Sequence, residues 1–272
     1  MRWLNKIIGI GALALGCLTF SPKSTEACSG AAPAGRSYTN IALADDASAV
    51  YYNPAGLVQL ERPEIDLAVG TGDYSYKYFL CYGQPLDSTS AIGFNVSHRT
   101  DEWDWLSLSY SRELTENLSV GANLGFNREK YINSDGIDAE KQYVSADFGV
   151  LYKGDKLNLG LLLQGNGYNV RPGVCFKFND RNMLLLEGYN ILDLDKAAGI
   201  RLGLERKVGD KWSFRAGYRK GEFDDSGDNI QAFTLGASCK HKDLEASIAL
   251  DSFFQANFNY YNNLILSLNK KF

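Results

Sequence analysis

From about Pro63 to Phe272, apolar and polar side chains alternate in short runs, each followed by a turn, and the pattern recurs fourteen times. In Leu118-Ser119-Val120-Gly121-Ala122-Asn123-Leu124-Gly125-Phe126-Asn127 every even position is apolar and every odd one small or polar. A period of two marks a strand with one greasy and one wet face. The pattern predicts strands at 63–71, 75–84, 88–98, 103–112, 117–130, 141–152, 156–164, 170–179, 182–190, 197–207, 211–221, 229–240, 243–251 and 261–272. An even count of two-faced strands fits an all-β fold, a transmembrane antiparallel β-barrel. Closure leaves no free edge, and lipid demands the apolar outer face.

The outward rows include Ile65/Leu67/Val69, Ile92/Phe94/Val96, Leu106/Leu108/Tyr110 and Leu264/Leu266/Leu268. Two segments are poorer. Pro172 interrupts the eighth, and Met183–Leu186 is apolar on both faces of the ninth. Tight polar turns follow strands 4, 6, 8, 10 and 12, whereas Tyr131–Glu140, Glu222–Asp228 and Ser252–Tyr260 read as longer loops. Bacterial barrels have short periplasmic turns and longer external loops. Both ends of an even-stranded barrel therefore lie on the periplasmic side. Tyr110, Tyr152, Trp103, Trp105, Trp212 and Tyr218 fall near strand ends, where aromatic rings would sit at headgroup level.

Before the barrel come two different segments. Met1–Lys6 carries two positive charges and Ile7–Phe20 is a fourteen-residue apolar run, shorter than a spanning helix needs. Small residues around Thr25-Glu26-Ala27 place a signal-peptide cleavage before Cys28, making residues 1–27 the leader. Its removal takes away Arg2, Lys6, Lys23 and Glu26, leaving 25 basic and 31 acidic residues. That balance does not suggest a nucleic-acid partner. Cys28, Cys81, Cys175 and Cys239 then remain at spacings that match no metal motif, and no cofactor is expected. A Cys28–Cys81 disulfide and unpaired packing thiols both stay open.

Residues 28–62 lack strand alternation. Gly35-Arg36-Ser37-Tyr38-Thr39-Asn40-Ile41-Ala42-Leu43-Ala44-Asp45-Asp46-Ala47-Ser48-Ala49-Val50-Tyr51-Tyr52-Asn53-Pro54-Ala55-Gly56-Leu57 resembles the N-terminal signature of the FadL-type outer-membrane transporters and of the related PorV/PorQ-like proteins. The resemblance is carried by Asp46-Ala47-Ser48-Ala49 and Tyr52-Asn53-Pro54-Ala55-Gly56-Leu57, and beyond them by strand count alone. It implies that residues 28–62 form a hatch in the lumen of a barrel spanning 63–272. It also places Asn53, Pro54, Ala55 and Gly56 in the hatch turn, beside a small hydrophobic ligand. Asp45 or Asp46 is expected to cap a short helix through Tyr51, which Pro54 then ends. A barrel between the eight-stranded kind filled by its own side chains and the sixteen-stranded kind that leaves a channel needs such a plug.

The external loops are shorter than the capture groove of fatty-acid transporters requires. Two readings therefore stand: transport of small hydrophobic molecules, or a PorV-like barrel serving secretion or surface attachment. Outer-membrane lipid and the barrel-assembly machinery are expected partners of both. The terminal aromatic Phe272 resembles the sorting signal that this machinery reads, and a secretion-system partner belongs to the second reading only.

Alternation points Lys77, Asp147, Lys177, Glu187, Arg201, Glu205, Arg215, Arg219, Glu245 and Asp251 inward, together with Phe79, Leu151, Leu162 and Ile265. Arg201 and Arg215 are placed to pair with Glu187 or Glu205, because unpaired buried charge is costly. The chain is not expected to be an enzyme. His98 lies on the outward face while Ser107 and Ser109 face inward, so no Ser–His pair forms.

Overall fold

The computed structural model describes residues 30–72, 75–100, 103–132, 138–165, 169–189, 191, 198–223, 229–254 and 260–272. The expected leader and Cys28 lie outside these residues, as do most of the long-loop acidic residues. Fourteen strands close into one antiparallel barrel in sequential order. They are β1 (Glu64–Gly72), β2 (Ser75–Pro85), β3 (Ser90–Arg99), β4 (Trp103–Thr115), β5 (Leu118–Ile132), β6 (Asp138–Lys153) and β7 (Leu157–Gln164). The other half comprises β8 (Asn169–Asn179), β9 (Asn182–Tyr189), β10 (Gly199–Val208), β11 (Trp212–Phe223), β12 (Asn229–His241), β13 (Leu244–Phe254) and β14 (Tyr260–Lys271). β1 closes on β14 from Glu64↔Lys271 to Thr71↔Leu264.

Alternation translates into burial strand by strand. On β4 the outward Leu106, Leu108 and Tyr110 are 45%, 56% and 46% exposed, while Ser107 and Ser111 are 0% exposed. Such an apolar exterior around a polar interior suits a bilayer rather than water, and it is the surface of an outer-membrane barrel. No described helix is long and apolar enough to cross a membrane. That bears only on helices.

The strands are longer than the pattern predicts toward the loop side. β5 and β6 take up half of the expected Tyr131–Glu140 loop, because their register continues to Ile132↔Asp138. On the other side the connections are as short as Glu116-Asn117 and Asp180-Arg181. The turn at Gly209 needs a left-handed residue (φ 62°), which glycine adopts without a Cβ clash. Phe272 N–H donates to the Pro63 carbonyl at 2.9 Å, so both barrel ends meet on this short-turn side. The Phe272 ring continues the outward row, 59% exposed.

Two expectations are corrected by the structure. Trp105 does not join an outer aromatic belt. It shares the inward face with Ser107 and packs edge-on against Tyr51, with centroids 4.9 Å apart. Pro172 does not break β8 either, since it pairs with Leu161 of β7. On its other side the β8–β9 ladder begins only at Gly173↔Glu187, so Asn169–Pro172 have no register partner on β9. The residue without an N–H sits where the ladder has stopped.

Candidate functional site

Residues 30–62 pack against the inner wall. They form α1 (Ala31–Gly35), α2 (Ala49–Tyr52) and a 3-10 turn (Pro54–Gln59), and most of their side chains are buried. α1 was not foreseen, since Ala31-Ala32-Pro33-Ala34-Gly35 carries no periodic signal. α2 is shorter than expected and is not capped by an aspartate side chain. Instead Asp46 accepts from the Ser48 N–H one residue before the helix, at 2.9 Å. Pro54 opens the 3-10 turn, whose first free N–H, that of Ala55, is capped by the Asn53 side chain at 3.2 Å.

The seat is a ring of inward glycines. Four cross-strand pairs, Gly83↔Gly93, Gly121↔Gly149, Gly160↔Gly173 and Gly203↔Gly217, lie where the segment touches the wall. A Cβ on Gly149 would stand 2.0 Å from Asn53 Oδ1, one on Gly121 2.4 Å from the Ala55 nitrogen, and one on Gly160 2.3 Å from the Ile41 carbonyl oxygen. Glycine weakens a strand, so its presence here is explained by close backbone approach.

Polar side chains between these glycines receive the segment's backbone. Asn53 is 0% exposed, and its amide hydrogens go to the Ile41 carbonyl (2.8 Å) and the Val150 carbonyl of β6 (3.1 Å). Pro54, Ala55 and Gly56 are buried with it, and Ser119 of β5 donates to the Ala55 carbonyl at 2.8 Å. The turn therefore meets the wall directly on both sides.

The lumen charges meet the segment in the same way. Glu187 accepts from the Asn40 and Ile41 N–H groups at 3.2 and 3.4 Å. Arg171 binds the other oxygen of the same carboxylate, and Arg201 Nη1 stands 3.5 Å from it. Both guanidinium groups also lie over the Tyr189 ring, at 4.9 and 4.6 Å. Glu205 is held between Arg215 Nε (2.8 Å) and Arg36 Nη1 of the segment (2.5 Å). Arg201–Glu187 and Arg215–Glu205 are thus separate clusters, each engaged with the segment. Charge in a low-dielectric lumen needs such partners.

Sequence reasoning missed Arg36, Arg171 and Tyr189. Arg171 shares the face of Gly173 and Cys175, a signal that was hidden by treating Pro172 as an interruption. The segment also has left-handed Ser37 and Tyr38 (φ 54° and 62°), an unfavourable conformation for residues with a Cβ. The wall holds them there. Ser37 N–H donates to Thr234 Oγ1 at 3.0 Å, and the Tyr38 hydroxyl donates to Asp251 at 3.0 Å.

Cys81, Cys175 and Cys239 are free thiols, the first two buried. His98 faces outward and contacts Asp104. Among the described residues no group of three His, Cys, Asp or Glu side chains is arranged to hold a metal ion.

No protein-family model matches the chain, and no curated protein matches it. Solved structures do. The monoaromatic hydrocarbon channel CymD superposes with a TM-score of 0.70 at 12% identity, covering 89% of this chain and 97% of that one. The toluene transporter TbuX of Ralstonia pickettii has a TM-score of 0.67 at 12% identity, covering 89% and 98%. The toluene transporter TodX of P. putida has a TM-score of 0.67 at 13% identity, with the same coverage. At such identities the likeness is one of fold: the chain shares the closed-barrel architecture of these hydrocarbon channels and transporters.

Proposed function

We propose that this protein lets small hydrophobic molecules, monoaromatic hydrocarbons among them, enter through the outer membrane, and that residues 30–62 are a hatch closing its lumen. The observation that carries this reading is the backbone-to-glycine fit around the segment. A chain seated that closely against the eight strands of the four glycine pairs favours a closed lumen over the open water path of a porin. An apolar cargo needs no such route. It requires a way into the bilayer, for which we take the seam where the β8–β9 ladder stops at Gly173↔Glu187. At that place Pro172 and Ile191 lie beside Gly188, on the outer side of the seam. On this reading the Asn53–Gly56 turn anchors the hatch, and Arg171 and Glu187 hold the two strands together just below the opening.

The test compares full-length protein with a variant lacking residues 35–57, in planar bilayers and in vesicles. The full-length protein should show little ion conductance yet speed the entry of labelled toluene. The deletion variant should insert and raise conductance. Equal conductance of the two correctly folded proteins would remove the hatch. Toluene entry no faster than in protein-free vesicles would remove the transport reading, leaving a barrel that docks a partner.

A further inference from the structure

α2 packs on β2, β3 and β4, with Val50 over Gly93 and the Tyr51 ring against Phe79. The wall beneath it is polar. Asp66, Cys81, Asn95, Ser107, Gly125 and Ser145 are successive cross-strand neighbours from β1 to β6. Three buried donors on or beside this row have no hydrogen-bond partner: Asn95 Nδ2, Ser107 Oγ and the indole Nε1 of Trp105. Asn95 and Ser107 are 0% exposed and face each other across the β3–β4 ladder. Trp105 follows on the same face of β4, and a Cβ on Gly125 would stand 2.5 Å from its indole nitrogen. None of the three atoms has surface that water can reach. A buried donor without an acceptor is costly, so a wall that sets three side by side is built to face one.

Tyr51 gives the shape of the occupant. Its ring stands edge-on to Phe79 and Trp105, with centroids 6.0 and 4.9 Å away, the separations at which aromatic pairs attract. The slot therefore holds one aromatic ring, and the ring now in it accepts from none of the three donors. The acceptor they call for is neutral. No basic side chain stands on the row, and Asp66 lies only two strands from Asn95, so a carboxylate would be buried without a cation. A carbonyl oxygen has two lone pairs and can take two of the donors at once.

We propose that Tyr51 holds the place of an aromatic cargo, and that this site takes a monoaromatic compound bearing a carbonyl oxygen. The cargo displaces the Tyr51 ring, lays its own against Phe79 and Trp105, and accepts from Ser107 together with Asn95 or Trp105. Binding of cargo and release of α2 from β2–β4 are then one event. The inference rests on the transport reading above and adds to it a preference for oxygen-bearing aromatics.

Acetophenone and ethylbenzene share an outline and differ in the carbonyl. Each is labelled and dialysed to equilibrium against detergent-solubilised protein, with the same detergent in both chambers. Comparing variant with parent cancels uptake by the micelles. Ser107→Ala should weaken acetophenone about threefold to tenfold, the worth of one hydrogen bond, and leave ethylbenzene within about twofold. Tyr51→Ala should tighten both compounds at least about threefold, because the slot no longer has to be cleared. Should Ser107→Ala fail to fold, the infrared carbonyl stretch of acetophenone bound to the parent serves instead. It should lie below its value in cyclohexane. An acetophenone affinity that Ser107→Ala lowers no more than ethylbenzene's, or an unshifted stretch, overturns the proposal while ethylbenzene binding still upholds the transport reading. Weaker binding of acetophenone to Tyr51→Ala also overturns it, since Tyr51 would then be a wall of the site and not its stand-in. Binding of neither compound to folded protein would remove the transport reading and the proposal with it.

Discussion

Replacing Asn53 by alanine should loosen the luminal segment while leaving the barrel intact. The amide makes three hydrogen bonds in the buried turn: to the Ile41 carbonyl, to the Val150 carbonyl and from the Ala55 N–H. Truncation strips all three groups of this partner, and the closeness of the Gly149 backbone leaves little room for water to replace it. Each buried polar group deprived of a partner costs about 1–3 kcal/mol, and Val150, on a paired strand, should lie at the low end. A total of roughly 4 kcal/mol corresponds to about a thousandfold more of the displaced state. The strand ladders do not involve the Asn53 side chain, so heat-modifiability on gels should stay that of the parent. The assay is hydrogen exchange of residues 35–57 read by mass spectrometry, with planar-bilayer conductance of the same preparation. Exchange should accelerate by orders of magnitude, and brief conductance openings should appear. Asn53→Asp keeps the acceptor for Ala55 but turns a buried carboxylate oxygen toward the two carbonyls, so it should loosen the segment at least as much as alanine. If Asn53→Ala changes segment exchange by less than about threefold, under 1 kcal/mol, the anchoring role is wrong.

Gly149→Ala and Gly160→Ala should each dislodge the segment, because the added methyl would stand 2.0 Å from Asn53 Oδ1 or 2.3 Å from the Ile41 carbonyl oxygen. Gly209→Ala serves as the control: it meets nothing within 4 Å, strains only its turn by about 1 kcal/mol, and should leave segment exchange as in the parent. Burial, then Glu64 and Asp45, push the Asp46 carboxyl up to about 7, against the helping Ser48 and Arg36. A raised folded value means a proton held in the seated state. Its contribution is complete below about pH 4 and lost as pH rises through 7. Protection of residues 45–52, corrected for intrinsic rates, should therefore fall between pH 5 and 8, and Asp46→Asn should flatten that fall. For orientation, single cysteines at positions 155 and 210, in a background without native cysteines, should resist a membrane-impermeant thiol reagent on intact cells while those at 135 and 225 react. The opposite pattern would invert the barrel.

Much of the wall was legible in the sequence because a strand's facing is a local property. Once Leu106 and Leu108 point out, Ser107 must point in, whatever the rest of the chain does. That reasoning located all fourteen strands, the inward Phe79 and Leu162, the inward Glu187, Arg201, Glu205 and Arg215, and the outward Phe272. Trp105 shows what happens when position along the strand is weighed above parity. Its place near a strand end suggested a headgroup anchor, but its odd number had already set it inside.

What only the tertiary structure decided is which inward residues meet, since that depends on register across the closed ring and on a segment far away in sequence. Glu187 reads as an inward acid with which Arg201 or Arg215 can pair. The fold makes it the acceptor for Asn40 and Ile41 and the partner of Arg171 and Arg201 at once. Gly121, Gly149 and Gly160 read as small residues on the wet face. They became a seat because closure brings β5, β6 and β7 against a backbone more than sixty residues upstream. Pro172 read as a defect in one strand, and it took both neighbouring ladders to show that it stands where β8 and β9 part. Parity follows from the covalent chain. The contacts inside the barrel follow from closure.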